Sequence, residues 1–210
     1  NMGLLLDKIR LNKSRKNEYY TNEDTVSLKL KGGLYASLYL DAIKNPSNFL
    51  RKEHLYSYDY EISEIVNFDD NTAYVISFKP KYYLEDQTFE GKIFVNTKNL
   101  AIVAIEFNVA PEAIKKIGSS LVVKKKLGTS VKPVSAKYVL NYRKINDKYF
   151  INLVRGELDF KIKYRRKLFS SDFKTIFEFA SNNIDTVDVE RFNRIKTISS
   201  NNVFIDEDFK

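Results

Sequence analysis

Few residues in this chain could carry chemistry. His54, in FLRKEHLYSYDY, is the single histidine, and the 210 residues contain no cysteine. Disulfides, thiolate nucleophiles and thiolate metal sites are therefore excluded. A lone imidazole leaves little room for a histidine-based triad or metal set, and His54 is expected to be a surface or hydrogen-bonded structural residue. Two carboxylate pairs stand out, Asp69–Asp70 in FDDNTAY and Glu85–Asp86 in YYLEDQTFEG. Paired carboxylates can act as acid and base when their surroundings separate their pKa values. FDDNTAY lacks the ligand spacing of a dedicated calcium loop, and both pairs are expected to be solvated turn residues. Gly32–Gly33 breaks a strand and does not cradle a phosphate. The chain has no P-loop, dinucleotide glycine pattern or nucleophile elbow. No catalytic residue, metal or cofactor is expected.

Charge is the next feature. The formal net charge is +8, which favours anionic partners. The cations gather at Lys124, Lys125 and Lys126, and again at Lys161, Lys163, Arg165, Arg166 and Lys167, where Tyr164 interrupts them. Cations interleaved with aromatics suit single-stranded nucleic acid or an anionic membrane surface. The bland alternative is a solvated strand edge, with Glu157 and Asp159 sharing the face of Lys161 and Lys163 and cancelling part of their charge. No RNP-like run, zinc knuckle or helix-turn-helix spacing supports nucleic acid. No apolar run approaches the ~20 residues of a membrane-spanning helix, and LLL at 4–6 is too short for a signal peptide. The leading Asn before Met suggests a segment cut from a longer protein.

The elements follow from periodicity. GLYASLYLDAIKN repeats apolar residues at a spacing of four, which predicts a helix of about three turns over 34–43, ended by Pro46. Ser47 could cap a further turn through Leu50. TVSLKLKG and LVVKKKLG are predicted short strands, and PEAIKKIGS a short helical turn. From residue 56 the period is two. Tyr58, Tyr60 and Ile62 alternate with Asp59, Glu61 and Ser63. Tyr74, Ile76 and Phe78 share a face, as do Ile93 and Val95, and Ala101, Val103, Ile105 and Phe107. The short polar link NTKN makes FEGKIFV and AIVAIEF antiparallel neighbours. Asn146 and Asp147 suit a tight turn before a strand with Leu158, Phe160, Ile162 and Tyr164 on one face, and Gly156 is expected at a bulge or bend.

Together these predict a mainly β, α+β architecture. It is one strongly curved antiparallel sheet of about eight strands, an unclosed barrel, with helices packed on one face. Residues 1–210 are taken as a single domain, with about 185–210 as a C-terminal tether or helix. A concave apolar side would supply a groove between the 34–43 helix and the sheet. Tyr35, Leu38, Tyr39, Tyr74, Ile76, Phe78, Ile93, Val95 and Val103 would line it. Burial of apolar area would drive ligand binding there, and the same residues would equally serve as plain core.

YVISFKPK, FEGKIFVNTKNLAIVAIEF and KYFINLVRGELDFKIKYRRKLF carry a resemblance. Over about 50–175 the chain resembles the middle segment of Bacteroidetes envelope proteins that begin with a carboxypeptidase-regulatory-like domain. Through Tyr74, Ile76, Phe78, Gly91, Ile93, Val95, Ile102, Val103 and Glu106 it is also similar in architecture to the LolA/LolB and RseB-type lipoprotein-binding fold. The resemblance implies a periplasmic or outer-membrane-associated envelope location. It also implies a non-enzymatic role, binding a lipid-like group, a lipoprotein or a partner protein, which includes neighbouring domains of a parent chain. Two alternatives stand beside it: a spacer between an upstream sandwich domain and a membrane element, and an Asp/Glu-dependent hydrolase.

Overall fold

In the computed structural model the described residues are 8–10, 12, 13, 15, 28–30, 34–68, 71–82, 89–125, 127–165, 168–187, 189 and 197. Contacts divide the chain into two units, 28–182 and a second made of both terminal stretches, 1–27 and 183–210. In the second, Arg10 donates to Asn12 and Asn183 to Asp185. The expected tether falls almost wholly outside the described residues.

The larger unit is built on seven antiparallel strands. They are β2 (Tyr58–Phe68), β3 (Asn71–Pro80), β4 (Phe89–Asn96), β5 (Ile102–Val109), β7 (Thr129–Ile145), β8 (Lys148–Tyr164) and β9 (Ser171–Ala180). Their spatial order is β2-β3-β4-β5-β7-β8-β9, a meander interrupted only between β5 and β7. That interruption holds α2 (Ile114–Leu121) and β6 (Val122–Lys125), and β6 pairs with β1 (Leu28–Leu30) in a separate two-stranded sheet. Short links leave antiparallel pairing as the only stereochemical choice. Asn146 and Asp147 both have positive φ, 48° and 63°, the conformation of a two-residue hairpin turn.

The strongly curved, unclosed barrel of about eight strands does not form. Among the described residues the sheet has seven strands, is not strongly curved and does not close: β2 and β9 are its outer strands there, each paired on one side only. Period-two alternation specifies which residues share a face, but curvature needs bulges and glycine kinks repeated at set positions. Here the register shifts are scattered: at Ile62/Glu64 in β2, at Phe94/Val95 in β4, and at Pro133/Ser135 and Asn141/Tyr142 in β7. Gly156 is not at a bulge; it pairs regularly with Tyr138 and Phe177. Its missing side chain makes room for the Phe177 ring, which a Cβ would strike. Gly91 lies in the same cross-strand row, where a Cβ would meet the backbone of Glu106 and Phe107.

One face of the sheet is apolar and carries the core. Rows such as Ile76–Ile93–Ile105–Leu140–Val154 run across five strands; Ile105, Leu140 and Val154 are fully buried. The segment before β2 lies over part of this face through Phe49, and helix α2 packs against β7. The helix expected over 34–43 is shorter: α1 spans Leu34–Tyr39 and packs against β8 and β9. It stops because Asp41 turns its carboxylate onto the backbone N–H groups of Ile43 (3.2 Å) and Lys44 (3.4 Å), a local bond that competes with helix continuation. Residues 48–50 form a 3-10 turn, and Ser47, at its start, makes no capping bond. The opposite face is mixed: Val75 and Ala104 are buried there beside Phe94, and charged side chains surround them. Lys92 pairs with Glu64, Arg155 with Glu157 and Glu178, and Lys174 with Glu157.

Candidate functional site

The centre of the apolar face is an aromatic cluster. Tyr60, Phe78, Phe107 and Tyr138 stand in one cross-strand row with Gly91 between Phe78 and Phe107. Into the space above Gly91 comes Phe49, from the 3-10 turn before β2. Its ring stacks on Phe78 at 4.2 Å and meets Phe107 at 5.6 Å and Phe89 at 6.2 Å. It is wholly buried, and Tyr60 donates a 2.7 Å hydrogen bond to its carbonyl. Burial pushes the Tyr138 hydroxyl up to about 12. Burial, with a smaller contribution from the neighbouring Tyr60, does the same to Tyr58. These phenols stay protonated at neutral pH and act as core side chains.

A second anchor fixes the turn after α1. The Tyr142 hydroxyl donates to Asp41 Oδ1 (3.0 Å) and accepts from the Ala42 N–H (3.1 Å), all buried. Burial, then the Asp41 carboxylate, drives the Tyr142 pKa far above its ordinary value. Asp41 Oδ1 thus accepts from one hydroxyl and two backbone N–H groups, which makes it a clamp between distant parts of the chain.

The residues expected to line a groove are distributed differently. Tyr74, Ile76 and Phe78 of β3, Ile93 and Val95 of β4 and Val103 of β5 do share the apolar face. Phe78, Ile93 and Val103 are buried; Tyr74, Ile76 and Val95 are half-buried. Leu38 is half-buried, Tyr39 is exposed, and the side chain of Tyr35 lies outside the described residues. The apolar surface that remains open lies toward the β2 edge. Ile62 pairs with Ile76 and Ile65 with Tyr74, and they are 64% and 62% exposed. With Tyr74, Ile76 and Val95 they form an apolar strip beside the Phe49 cluster.

On the charged face, a shallow depression of about 470 Å³ crosses β3, β4, β5 and β7. Its lining includes Lys79, Lys92 and Lys137 against Glu90 and Glu106, a mixed-charge surface.

Among the basic residues, Lys125, Lys161, Lys163 and Arg165 are exposed; Lys126, Arg166 and Lys167 lie outside the described residues, as does the side chain of Lys124. Lys161 meets Asp172 at 4.0 Å and sits directly across from Lys132. The carboxylate pairs Asp69–Asp70 and Glu85–Asp86 and the Gly32–Gly33 pair also lie outside the described residues. His54 is half-buried in a 3-10 turn over Lys52–Ser57. Among the described residues no group of three or more His, Asp or Glu could hold a metal ion, and no helix is long and apolar enough to cross a membrane.

Three features escaped the periodicity argument: the Phe49 plug, the Asp41–Tyr142 clamp and the exposed tips Leu127, Leu168 and Phe169. Phe49 lies between Pro46 and the start of the alternating pattern, where no repeat marks it. The tips carried a weak signal, apolar residues placed directly after basic runs in KKKLG and YRRKLF.

The fold and its surfaces define a class: an open antiparallel meander with short helical segments over its apolar face. No family model matches the chain, and neither the curated proteins nor the solved structures contain a match to it.

Proposed function

We propose that this chain is a non-enzymatic binding domain that takes a lipid-like or acylated partner along the open apolar strip beside β2. The observation that carries this reading is the exposure of Ile62 and Ile65 next to half-buried Tyr74, Ile76 and Val95. Covering such a strip removes apolar area from water, worth about 25 cal/mol per Å². Among the described residues β2 is also an outer strand with one unpaired edge, so an extended peptide bearing an acyl group could add to the edge as well as to the face. An envelope location, periplasmic or outer-membrane-associated, belongs to the same proposal and rests on the sequence resemblance.

The spacer reading is favoured by one observation, the complete filling of the centre of the apolar face by Phe49. The two readings separate by titration. Delipidated protein should take up a fluorescent fatty acid saturably, and an Ile62→Asp, Ile65→Asp double variant should lose that uptake while keeping its circular dichroism spectrum. Non-saturable uptake by the intact fold, or uptake unchanged in the variant, would leave the spacer reading standing.

A further inference from the structure

Among the described residues of the larger unit, the most exposed large apolar side chains do not lie on the β2 strip. Leu127 is 101% exposed, Leu168 87% and Phe169 83%. Leu127 stands in the β6–β7 turn; Leu168 and Phe169 stand in the β8–β9 loop. The two connections are neighbours. The N–H of Arg165 donates to the carbonyl of Gly128 at 2.8 Å, and Thr129 pairs with Tyr164 directly beneath them. The three side chains therefore project from one end of the sheet, where both connections leave hydrogen-bonded backbone. Beneath them the ribbon is firm, since Phe160 and Ile162 are buried on its apolar face.

Cations surround these tips. Lys125, Lys163 and Arg165 are exposed, and the sequence adds Arg166 and Lys167 to the same loop. A little further along the ribbon Lys132 and Lys161 face each other across the β7–β8 pair, a like-charge juxtaposition that is unfavourable in isolation. Among the described residues two carboxylates are nearby: Asp172 reaches Lys161 only at 4.0 Å, and Asp159 accepts from Ser135 at 2.6 Å and lies across from Lys174. Further along the charged face Arg155 and Lys174 are both matched by Glu157. Lys125, Lys163 and Arg165, which make no such pair among the described residues, put positive charge where the apolar tips project.

We propose that this end of the sheet docks on an anionic bilayer surface. Leu127, Leu168 and Phe169 enter the interfacial layer, and Lys125, Lys163 and Arg165 meet the lipid phosphates. Exposed apolar side chains gain by leaving water, and each nearby cation adds attraction to anionic lipid that decays within a Debye length. Two of the three tips are aliphatic and give no stacking platform for bases, so a bilayer is favoured over a single-stranded nucleic acid. The proposal stands apart from the acyl strip beside β2 and does not depend on it.

The chain contains no tryptophan, so Phe169→Trp supplies a single reporter at an exposed position. With vesicles of equimolar phosphatidylcholine and phosphatidylglycerol its emission should shift to the blue, and with phosphatidylcholine alone it should not move. Lys163→Gln and Arg165→Gln should each weaken co-sedimentation with the anionic vesicles by roughly fivefold, and added salt should weaken it further. Leu127→Ser with Leu168→Ser should reduce binding at constant charge. The proposal is overturned if the protein does not co-sediment with the anionic vesicles, if it does so without a blue shift, or if the serine pair binds as well as the parent. Displacement from the vesicles by a short single-stranded oligonucleotide at lower concentration than by phosphatidylglycerol would instead assign the surface to nucleic acid.

Discussion

The apolar face behaves differently at its two sides. Along β8, Leu158, Phe160 and Ile162 follow one another at period two and are each 1% exposed. Along β2, Tyr60 and Ile62 follow the same period, and Ile65 rejoins that face after the register shift, yet all three are open to water. The side-chain types are nearly the same, so composition does not explain the difference. Position does: β8 has a strand on each side and helical segments nearby, whereas β2 is an outer strand whose apolar face, among the described residues, is covered only near its start, by the 3-10 turns and Phe49. An alternating strand states which face is apolar, while its place in the sheet decides whether that face is core or surface.

Substitutions can break this contrast, and their effects should fall in order. Val103→Asp places an unpaired carboxylate in the covered region and should abolish cooperative folding, as read by urea denaturation; a soluble variant with a normal transition would mean the core face has been misassigned. Phe49→Ala removes the ring that fills the aromatic cluster and should cost about 3–5 kcal/mol. Gly91→Ala has only backbone to push against, so it should cost about 1–3 kcal/mol and more than Gly156→Ala, where the Phe177 ring can move aside. Tyr142→Phe leaves Asp41 short of a donor and the Ala42 N–H short of an acceptor, at about 1–3 kcal/mol. On the open side, Ile62→Ser should change stability by no more than about 0.5 kcal/mol; a loss as large as that for Phe49→Ala would show that the β2 strip is core.

The charged face offers a pH test of the same contrast. Lys174 and Arg155 hold the Glu157 carboxyl below its ordinary range. Because the folded pKa is depressed, the stabilisation is present above the unfolded carboxylate pKa and is lost as pH falls through the folded one. Glu157→Gln should flatten the acid limb of the stability profile slightly, and salt should have the same effect in the parent because the network is exposed. An unchanged acid limb would show that the network adds nothing measurable.

The strands and their faces were legible because each needs only local information. Tyr58 through Ile62, Tyr74 through Phe78 and Leu158 through Ile162 alternate cleanly, and Asn146–Asp147 has the chemistry of its turn. The length of α1 was not legible, because the repeat Leu34, Leu38, Ala42 continues past the point where Asp41 caps the turn. Nor was the role of Gly156, since a glycine in a strand suits a bulge and a ring-covered flat pair equally well until Phe177 is placed above it. The candidate binding surfaces were only half visible: Tyr74, Ile76 and Val95 could be named from their period, but whether anything covers them depends on residues far away in sequence.

The amino-acid sequence by itself determined an antiparallel mainly β chain, its strand faces, its excess positive charge and its lack of thiol chemistry, because these follow from residue type and spacing between near neighbours. Tertiary structure alone decided that the sheet stays open, that Phe49 fills its middle, that β2 is left with an uncovered apolar side, and that three apolar tips gather among cations at one end. Those outcomes depend on contacts between segments tens of residues apart, where burial is shared out by geometry and no local pattern records it.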